Sequence, residues 1–274
     1  MKKKLFPLTL FLLLLLTACG GGPNGAPNNG ANAPEGENGA QEAALDTEKT
    51  YVVGLDDTFA PMGYRDEKGE LIGFDVDLAT DAAERMGITV EFQPIDWSMK
   101  ETELEGGNID FIWNGYSVTP ERKEKVAFSE PYMKNRQIIV ALAESPVESK
   151  ADLAGKTVTV QAESSALEAV LKDEAFVESL ATAPVEYGTN VEAFQDVESG
   201  RSDVIVVDEV LARYYMKEQG QEKYKILEDN FGEEEFAVGL RKDDTALLAA
   251  LNEAMKAQVE DGTYDEIYTK YFAD

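Results

Sequence analysis

The chain has 274 residues, with 25 Lys and Arg against 53 Asp and Glu, one Cys and no His, for a formal charge of −28. Without histidine the commonest general base and zinc ligand are missing, and one cysteine builds neither an internal disulfide nor a thiolate metal site. The acidity excludes a surface for nucleic-acid phosphates, whereas 43% hydrophobic residues is a globular content, enough for one or two domains.

The first residues carry a targeting signal. Lys2, Lys3 and Lys4 precede an apolar run from Leu5 to Leu16. A membrane-spanning helix needs about 20 such residues, so this shorter run predicts a signal peptide over 1–18. Leu16-Thr17-Ala18-Cys19 resembles the lipobox of bacterial lipoproteins, in which the chain is cut before the cysteine and acylated there. Cys19 is therefore the expected lipidation site. Residues 20–40 hold only Gly, Pro, Asn, Ala and two Glu, so 19–46 reads as the lipidated Cys and a flexible linker. Some 25 residues of such chain reach about 25–30 Å. Two or three acyl chains anchor stably where one does not. The expected location is the extracytoplasmic face of the bacterial cell membrane, with the membrane as a partner through the lipid anchor.

From Tyr51 onward short strands and helices alternate. Residues 51–55 read as a strand and 74–86 as a helix, with Leu78, Ala82 and Met86 at four-residue spacing and Gly87 as C-cap. The strict alternation of 88–92 predicts a half-exposed strand, and 109–113 reads as another. Thr119-Pro120 sets an N-cap followed by a first-turn proline. Strands are expected at 137–141 and 157–160, then a helix from Ser165, a helix at 191–198, a strand at 203–207 and a helix through Tyr215. A strand at 236–240, a helix at 244–260 and a short helix at 264–271 complete the chain. Such alternation argues for parallel sheets covered by helices.

The landmarks then come in a telling order. They are Gly73-Phe-Asp-Val-Asp-Leu78 after a hairpin around Gly69, Thr119-Pro-Glu-Arg-Lys123, Phe128-Ser-Glu-Pro-Tyr132, Leu153-Ala-Gly-Lys156 with Val160-Gln161, Gly200-Arg-Ser-Asp203 with Val207-Asp208, and Asp261-Gly-Thr-Tyr264 beside Tyr268 and Phe272. In this order and spacing, the chain from about Tyr51 to Phe272 resembles the family 3 solute-binding proteins of polar amino-acid ABC transporters. The resemblance implies an α/β fold of the two-lobed, periplasmic-binding-protein-like type II kind, with two mixed sheets flanked by helices and joined by a two-strand hinge. Lobe 1 would comprise 47–133 plus 233–274, and lobe 2 134–232. It further implies capture of an L-amino acid by lobe closure and delivery to the transmembrane subunits of an ABC permease. No cofactor, metal or covalent chemistry is expected, and the protein is expected to be a monomer.

An amino-acid zwitterion needs a partner for each charge when buried. A guanidinium fork suits the carboxylate, and Arg122 stands in the first turn after Thr119-Pro120. A cation there opposes the helix dipole, which an anion bound alongside would explain, although Lys123 and Lys125 follow closely. Asp208 follows the apolar strand end where parallel sheets bind ligands; it could cap the next helix, but the resemblance pairs it with the ligand ammonium. Ser117 with the backbone around Asn114 and Gly115 is expected to add hydrogen bonds from lobe 1, and Ser164 or Ser165 from lobe 2. The resemblance places Phe59 and Trp97 as an aromatic sandwich around the ligand side chain, with Asp56 and Gln161 as polar contacts.

The chain also departs from the family pattern. Glu163 stands where a glycine is usual, so its carboxylate either points away or makes the cleft more acidic. The segment after Trp97 is less apolar than usual, and Trp113-Asn114 replaces smaller residues. Together, Asp56, Asp57, Glu163 and Asp208 favour a neutral polar or cationic amino acid over an acidic one. Two other readings share the fold. One is an extracellular sensor or adhesin. The other is a cyclohexadienyl-dehydratase-like enzyme, which needs an acid held protonated in the cleft; Glu163 is the carboxylate the sequence nominates.

Overall fold

A computed structural model describes residues 45–273. The signal peptide, Cys19 and nearly all of the linker lie outside the described residues. The first half of the chain lays down β1 (Thr50–Leu55), a small meander of β2 (Thr58–Phe59), β3 (Gly63–Arg65) and β4 (Leu71–Ile72), then α1 (Phe74–Met86) and β5 (Thr89–Pro94). After these come α2 (Lys100–Glu105), β6 (Phe111–Ile112), α3 (Pro120–Lys123), β7 (Ala127–Phe128) and the long β8 (Met133–Leu142). A second αβ series follows: β9 (Val158–Gln161), α4 (Ser165–Lys172), α5 (Glu174–Ser179), β10 (Val185–Tyr187), α6 (Asn190–Glu198), β11 (Val204–Asp208) and α7 (Glu209–Gln219). The chain closes with β12 (Tyr224–Phe236), β13 (Gly239–Leu240), α8 (Thr245–Glu260) and α9 (Thr263–Phe272).

Two five-stranded sheets result, ordered β5-β1-β6-β13-β7 and β10-β9-β11-β8-β12. Both are mixed, as the resemblance implies, whereas the alternation of strands and helices alone argued for parallel sheets. The βαβ crossovers give parallel pairs at β5-β1-β6 and β10-β9-β11, but the strands of the returning chain, β13 and the β8–β12 pair, run antiparallel. β8 and β12 pair from Met133 with Phe236 to Leu142 with Tyr224, so the chain crosses to the second sheet and back along one antiparallel ladder. The region expected as a strand at 236–240 is divided: Phe236 ends β12 and only Gly239–Leu240 joins the first sheet.

Packing follows the pleat. In β8, Ile138 and Val140 face one apolar cluster while Ile139 and Ala141 face another; in β11, Ile205 and Val207 alternate with Val204 and Val206 in the same way. Such strands are buried on both faces, as central strands under helices must be. In the first sheet, Val53 and Phe111 lie in the cluster that α1, α8 and α9 supply, and Ile112 faces Trp97, Leu104 and Tyr116 behind it. α1 ends where Gly87 takes the left-handed conformation (φ 66°), its N–H reaching back to Ala83 and Glu84 carbonyls. β5 is an outer strand, exposed on alternate residues, as its alternation predicts. Functional side chains are thus carried on strand ends of two sheets facing one another.

Candidate functional site

The residues nominated from sequence sit where strands of the two sheets give way to loops or helices. β1 leads to Asp56, β6 to Asn114, Gly115 and Ser117, β9 to Gln161 and Ser165, and β11 ends in Asp208. All of these side chains are buried. Arg122 is held by the cap of α3: Thr119 Oγ1 accepts from Arg122 N–H at 3.2 Å, and Pro120 opens the turn. This extended guanidinium is 2% exposed and lies 4.6 Å over the Tyr116 ring. Its Nη1 donates to Ser117 O at 3.1 Å and its Nη2 to Glu163 O at 3.3 Å, across the cleft. Its Nε has no hydrogen-bond partner among the described residues, although Glu168 Oε1 stands 3.3 Å away.

The opposite wall is acidic. Asp208 makes no side-chain cap bond to α7, so the helix-cap role does not occupy it. Its Oδ1 instead accepts from Asn135 Nδ2 at 2.7 Å and Gln137 Nε2 at 2.8 Å. The same two amide nitrogens donate to Glu234 Oε1 at 2.6 and 2.7 Å. Burial, then the charge of Glu234 beside it, pushes the Asp208 carboxyl well above the usual range, while Arg122 pulls weakly the other way. Ser165 Oγ accepts from Gln137 Nε2 at 3.1 Å and meets Ser117 Oγ at 2.9 Å, joining both walls.

A second bridge links Asp56 to Gln161. Asp56 Oδ2 accepts from Gln161 Nε2 at 2.8 Å, and Gln161 Oε1 accepts from Asn190 Nδ2 at 2.8 Å. Burial raises the Asp56 carboxyl, against bonds from Thr58 and Gln161. Asn114 Oδ1 accepts from Asp56 N–H at 3.0 Å, leaving Asn114 Nδ2 buried without a partner among the described residues. The Gly115 N–H is committed to Asp75 Oδ2 at 2.7 Å, so what it offers a ligand is its carbonyl. Gly115 itself is required: φ is +56°, and a Cβ there would meet Phe59 Cε1 at 2.8 Å.

The remaining nominated residues take distinct places. Ser164 Oγ caps α4, accepting from Leu167 N–H at 3.1 Å and donating to Gln161 O at 2.7 Å; of the two serines, Ser165 is the one that meets the opposite wall. Phe59 and Trp97 are 5% and 7% exposed and lie in different apolar clusters, Phe59 over Gly115 and Trp97 edge-on to Tyr116 at 6.0 Å. Glu163 takes the left-handed conformation (φ 52°) that a glycine would hold without strain, and its side chain is exposed. Its carbonyl is what the cleft uses, accepting from Lys100 Nζ at 2.8 Å as well as from Arg122. It therefore does not supply the enclosed acid a dehydratase needs. Asn135, Gln137, Asn190, Lys100 and Glu234 escaped the sequence reading. A signal existed for two of them: in the polar run 134–137 the uncharged Asn135 and Gln137 alternate with the charged Lys134 and Arg136, hence share the inward face.

Comparison with known proteins gives the family. The profile of the bacterial extracellular solute-binding proteins, family 3, matches residues 51–274. The lysine/arginine/ornithine-binding periplasmic protein of Escherichia coli K12 is 31% identical over 231 residues, covering 82% of this chain and 88% of that protein. The crystal structure of a substrate-binding protein of an ABC uptake transporter from Streptococcus pneumoniae, with bound histidine, superposes with a TM-score of 0.80 at 43% identity, over 83% of this chain and 94% of the other. An ancestral amino-acid-binding protein, described as a precursor of cyclohexadienyl dehydratase, superposes with a TM-score of 0.73 at 36% identity, over 81% and 95% of the two chains. This chain belongs to the bacterial extracellular solute-binding proteins of family 3.

Proposed function

We propose that the protein captures an L-amino acid with a neutral polar or cationic side chain and hands it to the membrane subunits of an ABC importer. The observation that carries this reading is the pairing of opposite charges on facing walls: the Arg122 guanidinium from the first sheet and the Asp208 carboxyl from the second. The guanidinium suits an α-carboxylate and the carboxyl an α-ammonium. Ser117, Ser165, Asn114 and the Gly115 carbonyl supply neutral partners, and Asp56 with Gln161 reads the side chain. Phe59 and Trp97 would flank that side chain from the edges of their clusters. Binding is by closure, without covalent chemistry, as a monomer tethered through Cys19 to the extracytoplasmic face of the membrane. The relatives named above bind lysine, arginine, ornithine or histidine, which supports a cationic or polar ligand.

A thermal-shift panel of the proteinogenic amino acids with cystine and ornithine tests the reading. A ligand at 100 times its Kd stabilises by about 2.7 kcal/mol, which ranks hits clearly. Arg122→Ala and Asp208→Ala are each expected to abolish the shift while the protein alone still melts cooperatively. Retained shifts in both variants would remove the assignment of the two charges.

The dehydratase reading is favoured by one observation, the enclosed acid Asp208, which is the environment a general acid requires. Turnover of prephenate or arogenate by the purified protein would establish it; an unchanged compound recovered after binding would reject it. A sensor or adhesin on this fold would bind the same ligands with no importer partner.

A further inference from the structure

An amino acid carries one α-ammonium, yet the wall facing it holds two acids. Glu234 reaches from β12 and Asp208 from β11, and both accept from the same two amides, Asn135 Nδ2 and Gln137 Nε2. Neutral amides cannot balance two negative charges; burial opposes the charge on Asp208, and repulsion from the half-buried Glu234 beside it adds to that. Arg122 does not balance them either, because its charge already stands against two other acids, Glu168 at 3.3 Å and Glu101 at 4.0 Å. The groove of about 680 Å³ behind the pair is electrically even: Lys123, Lys134 and Arg136 stand against Glu209, Glu233 and Glu235, and Arg136 is bonded to Glu209 at 2.5 Å. One positive charge is needed, and without a ligand it is a proton.

A separate observation says what replaces that proton. Gln137 is 1% exposed, and its Oε1 has no hydrogen-bond partner among the described residues, although the nitrogen of the same amide touches both acids. The wall thus offers two carboxyls and an unanswered carbonyl, all acceptors, which is the chemistry of an N–H cation. We propose that Asp208 and Glu234 form a single cation site that stores a proton in the empty protein and surrenders it when the ligand's ammonium or guanidinium enters, with Gln137 Oε1 as third acceptor. The inference rests on the amino-acid reading above and adds Glu234 as a specificity-determining residue. Charge balances: one cation enters, one proton leaves to solvent, and no covalent bond of the ligand changes. The elevated carboxyl of Asp208 agrees with this.

Calorimetric titration of the full mature protein with L-arginine, and with L-glutamine as the probe lacking a side-chain charge, in phosphate and in Tris at neutral pH counts the protons. The expected result is release of about one proton per ligand bound, with affinity rising up to about tenfold per pH unit below the Asp208 titration. Glu234→Gln is expected to bring the release close to zero and to weaken arginine at least as much as glutamine. Equal heats in the two buffers, or undiminished release by Glu234→Gln, would overturn the proposal. Carbon-13 spectra of the labelled carboxyls in the unliganded protein judge the pair independently of any ligand. An Asp208 titration well above ordinary carboxylates that changes in Glu234→Gln is expected, and an ordinary Asp208 titration, or one unmoved by Glu234→Gln, would overturn it. Should no amino acid bind, the ligand reading falls on the calorimetry, while the pair stands or falls on the spectra.

Discussion

Asp75, behind the cleft, shows how a single carboxyl can set a pH response. It sits in the first turn of α1, with Oδ2 accepting from Gly115 N–H at 2.7 Å and Tyr132 OH at 2.9 Å, while Oδ1 has no partner among the described residues. Burial raises its carboxyl to about 7, against those two donors. A value raised in the folded state means that the fold favours the protonated form. The stabilisation is therefore complete below the unfolded value near 3.8 and is lost as pH climbs through about 7. Three units at about 1.4 kcal/mol each make this of order 4 kcal/mol. Asp75→Asn is expected to remove about one proton from the pH dependence of unfolding, and so to flatten the decline in Tm between about pH 4 and pH 7. An equally steep decline in the variant would shift the effect to Asp208 and Asp56, whose carboxyls burial also raises.

At the scale of elements, the turn that presents Arg122 is barely a helix. α3 has four residues, so it cannot hold itself and depends on its cap and proline. Thr119→Ala should cost about 1 kcal/mol through the lost cap, seen as a lower denaturation midpoint. It should also weaken amino-acid binding severalfold more than Thr119→Ser, because the released turn carries the guanidinium. Equal binding by the two variants would detach the cap from the site. This cap was legible in sequence, as was α1 with its Gly87 stop, because local signals suffice there. β12 was not. Its run Glu228-Asp229-Asn230 and Glu233-Glu234-Glu235 reads as a solvated loop, and the strand exists only because it pairs with β8 over most of its length, interrupted by two register shifts. Long-range pairing overrides propensity, and with β12 unread Glu234 could not be found. Ser164 and Ser165 were indistinguishable in sequence for a related reason: which hydroxyl caps and which faces the cleft depends on where α4 begins.

Across the whole molecule, the two halves touch through contacts the chain makes by itself. Asp56 meets Gln161, Ser117 meets Ser165, Lys100 and Arg122 both reach the Glu163 carbonyl, Lys172 reaches Glu121 at 3.1 Å, and the Tyr64 and Tyr214 rings stand 5.5 Å apart. A two-strand crossing confines motion to opening and closing, so these contacts bias one equilibrium together. Lys100 is the most informative of them because it is assigned no ligand contact. It is 1% exposed, lies 5.2 Å from the centre of the Trp97 ring, and donates to Trp97 O at 3.2 Å and Glu163 O at 2.8 Å. Burial, then the Arg122 charge, lowers its ammonium to about 8, so enclosing the charge is costly and the cross-cleft bond offsets only part of that cost. Lys100→Met keeps the apolar stem and removes the donor. Its Tm should fall, since Lys100 stands 3.4 Å from Glu101 and removing one partner of a buried ion pair leaves the other charge uncompensated. Its unliganded form should give a larger radius of gyration by X-ray scattering than the parent, and saturating amino acid should bring both to the same value. A closed-state contact worth about 1 kcal/mol costs up to about fivefold in affinity when lost. Identical scattering of the unliganded variant and parent would mean that the Lys100 bond to the Glu163 carbonyl does not hold the halves together, and that the other contacts between them set the balance between open and closed.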